Sequence, residues 1–95
     1  MTLINLEGKL SEYFSKVEKA CGNTDSYIVE INSDKVSEIL NNIAKKAVLL
    51  CEIEKIVRKY KMEDYQITFF RSGKLVLNNV SGVNELFTLL NKIIE

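Results

Sequence analysis

The sequence contains no histidine, no tryptophan and no proline among its 95 residues. Without histidine it lacks the commonest general base and the commonest metal ligand of proteins. Its two cysteines, Cys21 and Cys51, are far apart and form no CxxC pair, so a zinc site is not expected. We therefore expect no enzymatic activity, no metal and no cofactor, and we interpret both thiols as buried and inert.

The chain also lacks an excess of charge and a long hydrophobic run. Thirteen basic residues balance thirteen acidic ones, which argues against binding nucleic acid through overall positive charge. The longest apolar run, Ala47–Cys51, is too short to span a membrane, and no basic segment followed by an apolar one begins the sequence. With 46% apolar and 27% charged residues, the chain is predicted to be a single globular cytoplasmic domain, residues 1–95.

The first half of the sequence predicts two helices around one strand. An apolar stripe at steps of three and four residues predicts a helix that ends at Gly22-Asn23; its members are Leu3, Leu6, Leu10, Tyr13, Val17 and Ala20. Residues 27–31 predict a strand, and Asn32-Ser33-Asp34 offers N-cap side chains for a helix that continues to about residue 61. A break, or a short strand near residues 47–51, is the alternative to such a long helix.

Residues 65–80 predict a β-hairpin, because two alternating segments flank the turn pair Ser72-Gly73. A two-residue loop would mix polar and apolar side chains on both faces. A three-residue loop, 71–73, with Gly73 in the left-handed conformation, places Phe70 opposite Lys74 and separates the two kinds. We expect an apolar face of Tyr65, Ile67, Phe69, Leu75 and Leu77, and an opposite face of Gln66, Thr68, Phe70, Lys74, Val76 and Asn78.

A last helix, with Ser81 as its N-cap, completes the order α-β-α-β-β-α. Its apolar stripe comprises Val83, Leu86, Phe87, Leu90, Ile93 and Ile94. The predicted fold class is α+β, with a three-stranded, mainly antiparallel sheet that has helices on one face and an uncovered opposite face. The polar side chains beside Phe70 and Val76 suit the minor groove of A·T-rich DNA.

Residues 69–80, Phe-Phe-Arg-Ser-Gly-Lys-Leu-Val-Leu-Asn-Asn-Val, resemble the hairpin of one repeat of the TATA-binding protein family. That family shows a Phe before Ser-Gly-Lys, then alternating Val or Ile, Thr-Gly-Ala and a helix. The resemblance extends over residues 64–95 and implies a half-saddle, in which Phe70 kinks DNA, Val76 and Asn78 touch the minor groove, and Lys74 lies at the turn. Because one repeat is present, it also implies two copies related by a two-fold axis.

Residues 67–74 are also similar to the C-terminal tail of adenylating enzymes of the ThiF/MoeB type, with Ser72 where that tail has Asp. Two functions therefore remain open. One is a non-enzymatic module, as a homodimer, that binds nucleic acid or a transcription-associated partner through Gln66, Thr68, Phe70, Arg71, Lys74, Val76 and Asn78. The other is a protein-interaction module or an accessory subunit of a larger enzyme, without nucleic acid.

Overall fold

The computed structural model describes Leu6, residues 8–20 and residues 25–95. The helices and strands follow one another as α1 (Lys9–Tyr13), β1 (Phe14–Lys19), β2 (Tyr27–Ile31), α2 (Val36–Lys46, preceded by a 3₁₀ turn at Ser33–Lys35), β3 (Val48–Ile53), β4 (Val57–Met62), β5 (Tyr65–Phe70), β6 (Lys74–Asn78) and α3 (Val83–Ile94). None of the described helices has the length and hydrophobicity needed to cross a bilayer.

All six strands form a single antiparallel sheet with the order β1-β2-β6-β5-β4-β3. Burial alternates along β2, β5 and β6, as expected for a sheet that is covered on one side. The core lies between that covered side and the helices, which contribute Ile39 and Ile43 from α2 and four fully buried residues of α3. The α+β class and the single covered face agree with the prediction, whereas the sheet has twice the three strands expected.

The predicted strand at residues 27–31 and the predicted hairpin are both confirmed. Phe70 lies opposite Lys74 across a three-residue loop, and Gly73 has a φ of +100°. A side chain at Gly73 would be strained by this φ, and its Cβ would lie 3.3 Å from a methyl carbon of Val36. The loop length therefore separates the two faces of the hairpin as the sequence predicts.

The predicted N-terminal helix is wrong beyond Tyr13, because residues 14–19 form strand β1. Phe14 and Val17 both point into the core, although they are three residues apart. A shift in the pairing register between Phe14 and Lys16 produces this spacing, since an extra residue in a strand returns the side chains to the same face. The bulge thus imitates helical periodicity. Gly22-Asn23, the predicted helix end, lies outside the described residues.

The predicted long helix is also wrong, because α2 ends at Lys46 and two strands follow it. The alternative of a short strand between two helices is confirmed for its strand, which is β3, and wrong for its second helix, because residues 57–62 form β4. Glu54 and Lys55 join the two strands with φ values of 49° and 62°, and the Ile56 N–H donates to the carbonyl of Ile53. Such a turn normally contains Asn or Gly, so the sequence carries no turn signal here.

Two local predictions are also corrected. Gly82, not Ser81, is the N-cap of α3, and the Ser81 hydroxyl donates to the Glu85 carboxylate instead. The side chain of Asn32 caps no helix; its amide donates to the carbonyl of Glu12 at 2.7 Å and so joins the residues before α2 to α1. In both cases a polar side chain forms a tertiary or loop contact in place of the local cap.

Candidate binding surface

The face of the sheet opposite the helices is the candidate binding surface, and we call it the open face. Residues paired across neighbouring antiparallel strands share a face, so the register assigns the members. From β1 to β3 in spatial order, they are Lys16, Glu18, Ile28, Glu30, Lys74, Val76, Asn78, Gln66, Thr68, Phe70, Val57, Lys59, Lys61, Val48, Cys51 and Ile53.

Six of the seven residues predicted to bind lie together on the open face, in the two central strands β5 and β6. The register pairs Gln66 with Asn78, Thr68 with Val76 and Phe70 with Lys74. Gln66 and Lys74 are exposed, and the other four are partly buried, so each of the six presents some surface to solvent. Each pair forms a row across the two strands. The row of Gln66 and Asn78 is polar, and each of the other two rows combines a polar and an apolar side chain.

The seventh residue, Arg71, lies elsewhere. It is exposed in the loop between β5 and β6, and its side chain lines an open cavity of about 280 Å³ on the helix side of the sheet. The other residues of that cavity are Leu40, Lys55, Ile56, Arg58 and Phe69. The position of Arg71 therefore separates it from the other six residues, and its part in binding stays a prediction.

Asn78 is held in place by Ser26, the residue immediately before β2. The Ser26 hydroxyl, which is buried, donates to the side-chain carbonyl oxygen of Asn78 over 2.6 Å. This bond occupies the acceptor of the Asn78 amide and leaves its NH₂ group for other contacts. Asn78 is therefore oriented as a hydrogen-bond donor on the open face.

Charge is distributed unevenly over the open face. On the β1 side, Lys16 lies 3.9 Å from Glu18 and 3.9 Å from Glu30, so positive and negative groups are paired. On the β4 side, Lys59 and Lys61 are exposed and no acidic side chain of the described residues pairs with them. One region of a chain with zero net charge is consequently positive.

The acidic group nearest to those lysines in the register faces the other way. Glu52 lies opposite Arg58, on the helix side, and the two side chains form an ion pair of 2.5 Å. Hydrogen bonding to Glu52, and then to Tyr60, raises the pKa of Arg58. This contact keeps the Glu52 carboxylate away from the open face.

The sequence prediction missed Lys59 and Lys61 because it placed residues 57–62 in a helix. A signal for a strand was present: Lys59 and Lys61 alternate with Tyr60 and Met62, and the latter two are buried. Strict alternation of this kind is typical of a strand with one face in the core. The lysines therefore join Thr68 and Gln66, which the register places directly opposite them.

Apart from Arg58, the groups with shifted pKa values fasten the helices rather than contribute to the open face. The Tyr65 hydroxyl donates to Glu85 over 2.9 Å, which raises the pKa of Tyr65. Hydrogen bonds from Ser81 and then Tyr65 lower the pKa of Glu85. Likewise, a hydrogen bond to Glu38 raises the pKa of Tyr13. The bonds of Tyr65 to Glu85 and of Tyr13 to Glu38 each join residues of different elements, which is a structural role.

Cys51 lies on the open face of β3 and is exposed, so the prediction that it is buried is wrong. Cys21 lies outside the described residues. Within the described part of the chain, no three or more His, Cys, Asp or Glu side chains come close enough together to hold a metal ion.

Comparisons of the chain with protein families, with curated proteins and with solved structures find no match. The resemblances to the TATA-binding protein family and to the tail of adenylating enzymes therefore stay predictions that rest on residues 64–95 and 67–74. The surface that the register defines, with its two unpaired lysines and its central polar and apolar rows, is the basis for a functional assignment.

Proposed function

We propose that the protein is a non-enzymatic, cytoplasmic binding module that holds A·T-rich double-stranded DNA on its open face. The observation that carries this proposal is the group of Lys59 and Lys61 beside Gln66 and Thr68, with no acidic side chain among them. Lysines contribute most to DNA affinity when they contact phosphates, which requires that they are not already neutralised.

The polar rows of β5 and β6 supply groups that suit the minor groove. An A·T pair presents only acceptors there, so the groove requires donors, and Gln66, Thr68 and Asn78 all provide them. The hydrogen bond from Ser26 already directs the NH₂ group of Asn78 for this role. Donors in adjacent strands thus match the pattern of an A·T-rich sequence without reading individual bases.

Phe70 and Val76 supply the apolar part of the surface. Both are partly exposed on the open face, one at the end of β5 and one in the middle of β6. Proteins that bind the minor groove often insert an apolar side chain between base steps, which bends the duplex. The resemblance to the TATA-binding protein family supports the same role for Phe70, and a half-saddle is the corresponding interpretation of the fold.

A fluorescence anisotropy titration with a labelled A·T-rich duplex tests the proposal. Substitution of both lysines, Lys59→Gln with Lys61→Gln, removes two phosphate contacts. The negative slope of log affinity against log salt should therefore become shallower by about 2. Phe70→Ala should weaken binding and reduce the preference over a G·C-rich duplex.

A control with the same change of charge is Lys9→Gln with Lys19→Gln, which removes two exposed lysines that are not on the open face. It should keep the wild-type salt slope to within a few tenths. Failure of the wild-type protein to bind at low salt would exclude the proposal, as would equal slopes for the two double variants.

Protein association without nucleic acid is the second candidate function, and one observation favours it. Strand β3 exposes large apolar side chains at the end of the sheet, where no described segment covers them. An uncovered apolar edge is typical of a protein-interaction site. If the protein binds another protein there, as an accessory subunit of a larger enzyme, and no nucleic acid, its addition should leave the anisotropy of the labelled duplex unchanged.

A further inference from the structure

Strand β3 ends the sheet and buries none of its residues. All six are exposed, and four are large and apolar: Val48, Leu49, Leu50 and Ile53. Ile56, in the adjoining turn, is exposed to a similar extent, and these five side chains have between 50% and 66% of their surface in solvent. We call these five residues the β3 edge. A long apolar edge strand is a template for pairing with another chain.

The β3 edge also lacks the charged side chains and prolines that normally prevent an edge strand from pairing with another chain. Strand β3 contains no Lys, Arg or Pro, and its single charged side chain, Glu52, is directed to Arg58 in its own sheet. Its bulge does not distinguish it, because the opposite edge strand carries a bulge as well. The edge is therefore chemically open to a further strand.

We propose that the β3 edge binds a second copy of this chain, with the two β3 strands antiparallel across a two-fold axis, so that two sheets become one of twelve strands. An antiparallel neighbour continues the pattern of this sheet, in which every pair of adjacent strands is antiparallel. A two-fold axis also closes the assembly, because each copy uses its one open edge.

The charges at the two ends of β3 favour this arrangement. At its start, the exposed Lys45 precedes the strand and has no ionic partner among the described side chains. At its end lies Glu54, exposed in the turn and likewise unpaired there. Lys55 is directed to the cavity on the helix side.

An antiparallel pair brings the start of one β3 beside the end of the other, so Lys45 of each copy approaches Glu54 of its partner. A parallel pair would place like charges together at both ends. The surface is therefore complementary to itself in the antiparallel orientation only. This inference does not depend on the proposed binding of DNA, because the β3 edge pairs without a ligand.

Light scattering after size exclusion, over a range of protein concentrations and without nucleic acid, tests the dimer. Leu50→Lys should raise the dissociation constant of the dimer at least about thirtyfold, because it places a charge in the apolar centre of the interface. Circular dichroism should show an unchanged fold, since Leu50 is 51% exposed and is not part of the hydrophobic core. The matched control is Val83→Lys in α3, which changes an apolar side chain that is 42% exposed and should leave the dimer intact.

Charge reversal tests the orientation. Glu54→Lys alone should weaken the dimer, and Glu54→Lys combined with Lys45→Glu should restore it. A short bis-maleimide should crosslink Cys51 of two copies in a Cys21→Ser background, because Cys51 lies near the middle of β3 and hence near the two-fold axis. A monomer at every concentration, open-ended aggregates, or equal effects of Leu50→Lys and Val83→Lys would each overturn the proposal.

If the dimer forms and the labelled duplex does not bind, the β3 edge is established and the proposed function fails. If the duplex binds and the protein is a monomer, the proposed function is supported and the pairing of the β3 edge fails. The two results are independent because Leu50→Lys changes no residue placed at the DNA surface.

Discussion

The two edge strands of the sheet, β1 and β3, have the same length and opposite characters. Each has six residues and one register shift against its neighbour. Strand β1 buries Phe14 and Val17 in the core and carries charged side chains on its exposed positions. Strand β3 buries nothing and is mostly apolar. One edge belongs to the folding core of the monomer, whereas the other is exposed and available to a partner.

This difference follows from the helix layer. Tyr13 ends α1 immediately before β1, and its hydroxyl donates to Glu38 of α2, so the β1 edge is fastened to the helices. At the far edge, helix α2 packs on β4, whose Tyr60 and Met62 are buried, whereas all six residues of β3 are exposed. Strand β3 projects beyond the helix layer, and both of its faces remain in solvent.

The largest contrast is expected from a truncation in each edge strand. Phe14→Ala should cost about 3–5 kcal/mol of unfolding free energy, because Phe14 is 1% exposed and its removal leaves a cavity. Leu50→Ala should change the stability of the monomer by no more than about 0.5 kcal/mol. Urea unfolding at low protein concentration measures both; similar costs would mean that the edges do not differ as described.

The hairpin that presents β3 contains backbone strain, and its relief should stabilise the protein. Lys55 has a φ of 62°, which glycine adopts without steric cost, so Lys55→Gly should add about 0.5–1 kcal/mol. The same substitution at Lys59, inside β4, should lower stability by a similar amount. Thermal unfolding of the two variants checks the signs, and a loss of stability in Lys55→Gly would contradict the turn geometry.

Those two edge strands are also the parts of the fold that the sequence conceals. In β1, the bulge places Phe14 and Val17 on one face at a helical spacing. After β3, Glu54 and Lys55 form a tight turn without Asn, Gly or Pro, so the sequence indicates a helix that continues through this turn. Neither feature can be recognised until a neighbouring strand is known, because bulges and unusual turns are imposed by pairing.

The hairpin of β5 and β6 was predictable, since its alternation is regular and Ser72-Gly73 marks the turn. It therefore yielded six residues of the open face. The place of Lys59 and Lys61 on the open face was not predicted. The sequence shows that their segment is basic, but it indicates a solvated helix face there, and only the pairing with β5 puts the two lysines on the sheet. The features that could not be predicted are tertiary contacts. They are the neighbour of each strand in the sheet and the charges that remain unpaired beside that neighbour.

The contact between Tyr13 and Glu38 predicts a dependence of stability on alkaline pH. The pKa of Tyr13 is raised above its ordinary value of 10.0 by its hydrogen bond to Glu38, so the folded chain keeps a proton that the unfolded chain loses. This contribution to stability is fully present below pH 10 and is lost as the pH rises through the folded-state pKa. Tyr65, whose pKa is raised by Glu85, acts in the same direction.

Tyr13→Phe should therefore flatten the decline of the urea midpoint between pH 9 and pH 11, while Tyr65→Phe should remove a separate part of it. Hydrogen exchange in β1 should also become faster in Tyr13→Phe, since the edge loses its bond to α2. An unchanged pH profile in Tyr13→Phe would show that β1 is not fastened to the helices in this way.

The smallest effect is expected from the charges of β1. Lys16 lies 3.9 Å from both Glu18 and Glu30, and its side chain is 44% exposed, so Lys16→Gln should lower stability by no more than about 0.5 kcal/mol. Its importance is different: a charge on an edge strand opposes pairing with another sheet. Lys16→Val should therefore leave urea unfolding nearly unchanged but add a second, concentration-dependent association in light scattering, beyond the dimer formed through β3. If Lys16→Val forms no larger species, the charge of Lys16 is not what prevents β1 from pairing with another sheet.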